Sequence, residues 1–122
     1  MLPQRISFQA MKTSLEALIS YDQNQRIIQF DRKAEEMFGY AVSEVLNESM
    51  GKLFPIYYEK KYQTQLKLFA RNGSGHPREA WLEMWAVRKS GEEFPVEVDI
   101  AKFRSNDGFI YTAIFKEAAG GL

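Results

Sequence analysis

The feature that most constrains the fold is a run of three extended segments in the last third of the chain. The middle one, 93–103, alternates apolar and polar side chains, so that one face of a strand would carry four apolar residues: Phe94, Val96, Val98 and Ile100. Turn-forming residues separate it from the extended segments 79–88 and 109–116. The pattern predicts three consecutive antiparallel strands with a buried face, and it assigns Glu83 and Asp99 to the exposed face.

Shorter segments earlier in the chain predict the rest of the architecture. Two extended runs, 17–21 and 26–30, flank a polar turn and predict a β-hairpin. Asp31 stands where a helix N-cap would, Gly39 fits the end of that helix, and residues 57–71 carry a longer amphipathic helix. We therefore expect an α+β fold, a five-stranded antiparallel sheet with short helices on one face.

The N-terminal residues predict an additional amphipathic helix from Arg5 to Leu18. Its apolar positions recur every three or four residues: Phe8, Met11, Leu15 and Leu18. Such a stripe either caps the chain's own domain or pairs with its copy in a homodimer, and both alternatives stay open. The expected organisation is an N-terminal helix or cap over 1–14, a folded domain over 15–117 and a flexible end over 118–122.

Composition limits the chemistry. The chain of 122 residues has no Cys and one His, His76, which excludes disulfides, thiolate metal sites and cysteine nucleophiles. Sixteen basic residues balance sixteen acidic ones, so nothing predicts nucleic-acid binding, and no apolar run approaches the length of a membrane span. We predict no catalytic residues, no metal, no membrane contact and a cytoplasmic location. His76 lies in a Gly-Pro loop, which favours an exposed, incidental role.

Several motifs, in order along the chain, resemble those of the PAS domain family. Residues 19–31 are similar to the family's opening hairpin, 31–40 to its helix ending in Phe-Gly-Tyr, and 87–98 to its Arg-Lys-x-Gly-x-x-Phe-Pro hairpin. The resemblance covers about residues 14–117. It implies a non-catalytic sensory and protein-interaction module of a signalling protein, such as a histidine kinase of a two-component system. The effector domain would lie in the same or a partner chain.

The sequence departs from the family pattern in three places. Asp31 replaces a common Asn and Asn47 a common Gly, but Asp also caps helices and Asn tolerates a positive φ. Lys116 and Glu117 stand where members often carry an Asp-Ile-Thr-like exit toward the effector. That last departure puts output through the C-terminus in doubt.

The resemblance also bears on the cofactor, which stays unknown. Its spacing places Tyr62 where haem-binding members have a His, and a neutral phenol is a poor iron ligand. The flavin photoadduct of LOV-type relatives needs a Cys and is excluded. Non-covalent flavin, stacked on Trp81 and Trp85, or a small metabolite stays open, although packing of that sheet face under the N-terminal helix is favoured.

A ligand pocket would lie between the sheet and the helices, with Tyr62 and Thr112 as its polar groups. Ten residues are predicted to line it: Phe38, Leu53, Tyr58, Tyr62, Leu66, Phe69, Leu82, Met84, Val98 and Thr112. One alternative is a filled core in a ligand-free dimerisation module. A second, disfavoured, is an enzyme of the ketosteroid-isomerase cone fold, with Glu83 or Asp99 acting beside Tyr62.

Overall fold

The computed structural model describes residues 15–58 and 66–118, and within these ranges six strands form one sheet. They are β1 (Ala17–Asp22), β2 (Ile27–Phe30), β3 (Arg71–Asn72), β4 (Leu82–Val87), β5 (Glu93–Ser105) and β6 (Gly108–Glu117). The strand order is β2-β1-β6-β5-β3, and β4 also pairs with β5. Every pairing is antiparallel except the short β3–β5 contact. The predicted α+β fold is confirmed, with the two-residue β3 as an additional strand.

Short helices and turns connect β2 to β3 and β3 to β4 along the chain. They are α1 (Arg32–Phe38), α2 (Val42–Val45) and three 3-10 turns, Met50–Leu53, Ile56–Tyr58 and Arg78–Ala80; residues 66–69 are also helical. The carboxylate of Asp31 accepts the N–H of Ala34 at 2.9 Å, and the N–H of Leu18 at 3.1 Å. Gly39 ends α1 with a φ of 83°, which costs glycine little. Both ends of α1 are therefore fixed by the residues that the sequence indicated.

The predicted helix from Arg5 to Leu18 is wrong at its C-terminal end. Leu18 lies in β1, opposite Ile114 of β6, and Leu15 lies in a turn with 64% of its surface exposed. The reason is that β1 pairs with strands on both sides, so its backbone hydrogen bonds and buried side chains favour an extended chain. Phe8 and Met11 lie outside the described residues.

Two other element boundaries differ from the predictions. Within the expected helix 57–71, the structure describes a 3-10 turn at its start and helical residues 66–69 near its end, whereas Arg71 pairs with Ala101 as part of β3. The strand expected over 79–88 begins at Leu82, because the 3-10 turn Arg78–Ala80 precedes it. Trp81 therefore does not share a strand face with Trp85.

The core fills the concave side of the sheet. The four apolar residues of β5 that the alternation selected are all buried there, together with Phe38 at the end of α1. The ring of Phe38 contacts Phe30, Phe94 and Phe115, with centroids 5.5–6.2 Å apart. The convex side is also buried around Leu18, Ala101 and Ile114, where Ser20 and Thr112 are buried polar residues.

Candidate functional site

A cleft opens beside the β1–β2 hairpin, between the ends of β1 and β6, the turn Met50–Leu53 and residues 66–67. The cleft is narrow, with a cavity volume of about 30 Å³. The described residues that line it are Tyr21, Asp22, Gln23, Gln25, Met50, Gly51, Phe54, Tyr58, Leu66, Lys67 and Tyr111. A space of that size holds about one water molecule, so a larger ligand would have to displace side chains of the cleft wall.

Two tyrosines form the inner wall of the cleft. Tyr21 and Tyr111 are opposite each other in the β1–β6 register, and their rings stack at 5.3 Å with an angle of 10° between planes. Only 6% and 8% of their surfaces are exposed, and neither hydroxyl hydrogen-bonds to any residue that the structure describes. Burial, and secondarily Tyr111, raise the pKa of Tyr21 far above its usual value of 10.0, so its hydroxyl stays protonated.

Buried hydroxyls without a protein partner are unusual, because each loses its hydrogen bonds to water on folding. Apolar side chains of Met50, Phe54 and Leu66 also line the cleft, together with four polar or charged residues, Asp22, Gln23, Gln25 and Lys67. This combination of apolar side chains and two tyrosine hydroxyls suits a small, mostly apolar ligand that offers a hydrogen-bonding group.

The structure places the predicted pocket residues in several environments. Tyr58 and Leu66 line the cleft, whereas Phe38, Leu53, Met84 and Val98 are closely packed in the core, and Phe69 and Leu82 are partly buried. Tyr62 lies outside the described residues. Sequence reasoning did not select Tyr21 or Tyr111 as site residues.

Thr112 does not face the cleft. Its neighbours Tyr111 and Ala113 point into the core, so Thr112 points to the convex side, where its hydroxyl lies 2.9 Å from that of Ser20. A signal for the correct residue was present, because the apolar alternation of β6 selects positions 111, 113 and 115 as the inner set.

A buried polar cluster surrounds His76 near the edge of the sheet. Asp99 lies between the parts of β5 that pair with β4 and β3, and only 2% of it is exposed, so its predicted exposure is wrong. Both carboxylate oxygens accept the backbone N–H of His76, and one lies 2.8 Å from its ring Nδ1. The imidazole stacks on Phe69 at 4.0 Å. The expected incidental role of His76 is therefore also wrong, because its loop closes this gap in the sheet.

The two tryptophans lie apart from the cleft. Trp81 packs against the convex-side cluster of Ala101, Phe103 and Ile114, and its indole N–H donates to the carbonyl of His76. Trp85 is largely exposed on β4. Neither lines the cleft, and this placement does not provide the stacked pair that a flavin ring would use.

The candidate acids of the enzyme alternative are also far from the cleft. Asp99 is held by His76, and Glu83 is exposed on β4 and does not line the cleft. In the part of the chain that the structure describes, no group of three or more His, Cys, Asp or Glu could hold a metal ion. None of the described helices has the length and apolarity needed to cross a bilayer.

Arg88 joins the end of the last strand to the helical layer. Its guanidinium donates to the carbonyl of Met37 at 2.6 Å and to the Glu117 carboxylate at 2.8 Å, and it lies 3.7 Å from the centroid of the Phe94 ring. Burial disfavours its charge, but hydrogen bonds to Glu117 and Glu92 outweigh burial and raise the pKa of Arg88. Glu117 is thus tied to the core by a side chain of the β4–β5 hairpin.

This arrangement is an α+β domain in which an antiparallel sheet and short helices enclose a small cleft. A model of the PAS domain family matches residues 15–117. The chain belongs to the PAS domain family, as its motifs predicted. PAS domains are sensory modules of signalling proteins, are generally non-catalytic and commonly form dimers.

The chain is also similar to several individual proteins. The chain is 24% identical over 108 residues to an uncharacterised protein of Azorhizobium caulinodans, an alignment that covers 88% of this chain and 15% of that protein's length. The PAS domain of an HTR-like protein from Haloarcula marismortui superposes with a TM-score of 0.70 and 22% identity, covering 88% of this chain and 90% of that one. A PAS domain from a two-component sensor histidine kinase gives 0.69 and 11%, covering 96% and 97%. Both structures share the fold.

Proposed function

We propose that this chain is the sensory module of a signalling protein, such as a histidine kinase, and that it binds a small, mostly apolar ligand in the cleft. The observation that carries the proposal is the pair of buried hydroxyls of Tyr21 and Tyr111, which line the cleft and make no hydrogen bond to a described residue. A ligand group that bonds to them would recover the interactions that burial removes. The ligand itself, and a cytoplasmic location, stay predictions.

The route from the cleft to an effector would run through the sheet. Tyr21 and Tyr111 belong to neighbouring strands, and a ligand that moves either ring would shift β1 against β6. β1 directly follows residues 1–14, the predicted N-terminal helix, and β6 ends at Glu117, which Arg88 holds. Dimerisation through that helix, the sheet or both is part of the proposal.

Substitution of each cleft tyrosine by phenylalanine tests ligand binding. Native mass spectrometry and a thermal-shift screen of the purified chain would first identify a bound molecule. Tyr21→Phe and Tyr111→Phe are each expected to weaken its binding about tenfold, the value of one hydrogen bond of about 1.4 kcal/mol. Without ligand, both variants should keep or slightly gain stability, because each loses a buried hydroxyl without a described partner.

Tyr40→Phe is the matched control, because Tyr40 is partly exposed and does not line the cleft. Its ligand affinity should equal that of the unchanged chain. If no ligand binds, and the two cleft variants lose stability, the hydroxyls serve the fold alone. That result would contradict the sensory cleft and favour the second candidate, a ligand-free dimerisation module, for which the closely packed core around Phe38 and Leu53 is the supporting observation.

Removal of the Arg88 guanidinium tests whether Arg88 holds the end of β6 against the helices. Arg88→Met is expected to lower the free energy of unfolding by about 1.5–3 kcal/mol, mainly because the carbonyl of Met37 loses its charged donor. The ion pairs with Glu92 and Glu117 add less, since both acids are half exposed. Urea unfolding measures this loss, and amide exchange at residues 115–117 should become faster.

Arg32→Met is the control for Arg88→Met, because Arg32 is exposed and pairs with Glu36 at the surface. Its stability should stay within about 0.5 kcal/mol of the unchanged chain. In a full-length signalling protein, Arg88→Met should alter output while ligand affinity at the cleft is retained. If amide exchange at the end of β6 is unchanged in Arg88→Met, Arg88 does not hold that strand in place.

A further inference from the structure

A second cavity lies at the edge of the sheet, beside the contact between β3 and β5. The inner positions of β5 are apolar up to Ile100, and the next two inner positions are Lys102 and Arg104. The ammonium of Lys102 lies 4.9 Å from the centre of the Phe109 ring, and the guanidinium of Arg104 lies 5.3 Å from it. The inner positions of β5 therefore change from apolar residues to two cations, and both cations lie near the Phe109 ring.

These two cations have no counter-charge in the described part of the chain. No carboxylate of residues 15–58 or 66–118 forms an ion pair with Lys102 or Arg104. Arg78 and Arg88 do have such partners, whereas Arg71 and Lys116, like these two cations, form no ion pair with a described carboxylate. The Phe109 ring offsets part of the repulsion between the two cations through its negative face, and an anion would offset more.

The cavity beside these cations measures about 290 Å³. The described residues that line it are Asn72, Gly73, Lys102, Phe103, Arg104 and Phe109, and none of them is acidic. No residue is shared with the lining of the cleft. The Gly73 N–H donates to the carbonyl of Lys102 at 2.7 Å, which fixes this wall against β5, while the Asn72 side chain supplies an amide donor.

We propose that this cavity binds the phosphate group of a small phosphorylated metabolite. A phosphate monoester carries between one and two negative charges near neutral pH, which matches the two unpaired cations. The guanidinium of Arg104 can donate two parallel hydrogen bonds to phosphate oxygens, and Lys102 adds a compact charge. Both cationic ends converge on one ring, which suits a single compact dianion better than the spaced charges of an acidic peptide or a nucleic acid. This site goes beyond the proposed sensory cleft and does not depend on it.

The test uses the full chain, with inorganic phosphate and methyl phosphate as probes. At constant ionic strength, amide NMR titration is expected to show saturable shifts for both probes, centred on residues 72–73 and 102–109, with chloride giving none. The double variant Lys102→Gln/Arg104→Gln should weaken binding at least tenfold. The double variant Arg32→Gln/Lys33→Gln removes two cations from α1 and should bind as the unchanged chain does.

The proposal is overturned by equal shifts with chloride, by shifts centred elsewhere, or by unchanged binding in the Lys102→Gln/Arg104→Gln variant. Binding of inorganic phosphate without methyl phosphate would also overturn it, since a metabolite presents an ester. If the double variant does not fold, Arg104→Gln alone tests the site, because Arg104 is exposed. Loss of the cleft ligand would not affect any of these measurements, so failure of one site is distinguishable from failure of the other.

Discussion

Replacing Phe38 with alanine is expected to lower the free energy of unfolding by about 3–5 kcal/mol. Phe38 is fully buried, and its ring is surrounded by those of Phe30, Phe94 and Phe115. Removing it takes away apolar burial and leaves a cavity that three rings on different elements cannot close without moving. A small domain has about 5–15 kcal/mol of total stability, so the loss is large and urea unfolding will measure it.

The same substitution distinguishes a filled core from a pocket at Phe38. The sequence places this residue among the pocket candidates, whereas the structure packs it on all sides. If Phe38 bordered a ligand space, the alanine variant would lose less stability than this range, because less packing would be removed, and ligand affinity would change. Tyr57→Ala is the control, because Tyr57 is 64% exposed and its loss should cost far less. Phe38→Leu, which keeps most of the volume, should fold even if the alanine variant does not.

Local signals account for the features that the sequence predicted correctly. Asp31 and Gly39 bound α1 because an N-cap needs a short side-chain acceptor, and a left-handed C-cap favours glycine. Asn47 has a φ of 66°, the conformation that makes Asn an adequate replacement for Gly. Each of these features depends on a few neighbouring residues, so one sequence is enough to find it.

The end of the predicted N-terminal helix shows where periodicity fails. Residues from Ala17 to Tyr21 are all buried, on both faces of β1, and the single polar residue among them, Ser20, is buried as well, so no regular polar positions reveal a period of two. With that alternation absent, the spacing of Leu15 and Leu18 looked helical. Only the pairing of β1 with both β2 and β6 determines the outcome, and that pairing involves residues far away in the sequence.

The cleft depends on strand register, which the sequence specifies weakly. Tyr21 and Tyr111 meet because β1 and β6 pair in one particular register. A difference of one position along β6 separates Tyr111, in the cleft, from Thr112, on the opposite face. The prediction found the right strand and chose the wrong face. The His76–Asp99 contact was missed for a related reason, since it joins a loop to a strand across 23 positions of sequence.

Replacing His76 with alanine is expected to lower the free energy of unfolding by about 2–4 kcal/mol. The imidazole supplies the 2.8 Å contact to the buried carboxylate of Asp99 and the stacked partner of Phe69. Without it, Asp99 keeps the backbone N–H at position 76 but loses its side-chain partner in a place that water reaches poorly. Urea unfolding at a fixed pH measures the loss.

A double-mutant cycle separates this pair from its surroundings. His76→Ala and Asp99→Ala should each destabilise the domain, and the double variant should cost about 1–3 kcal/mol less than their sum, because neither partner is then left alone in the interior. The exposed pair of Lys89 and Glu44 is the control, and Lys89→Ala should cost less than about 1 kcal/mol. Additive effects at positions 76 and 99 would mean that the two side chains stabilise the sheet edge independently, and that the contact does not close the gap between β3 and β4.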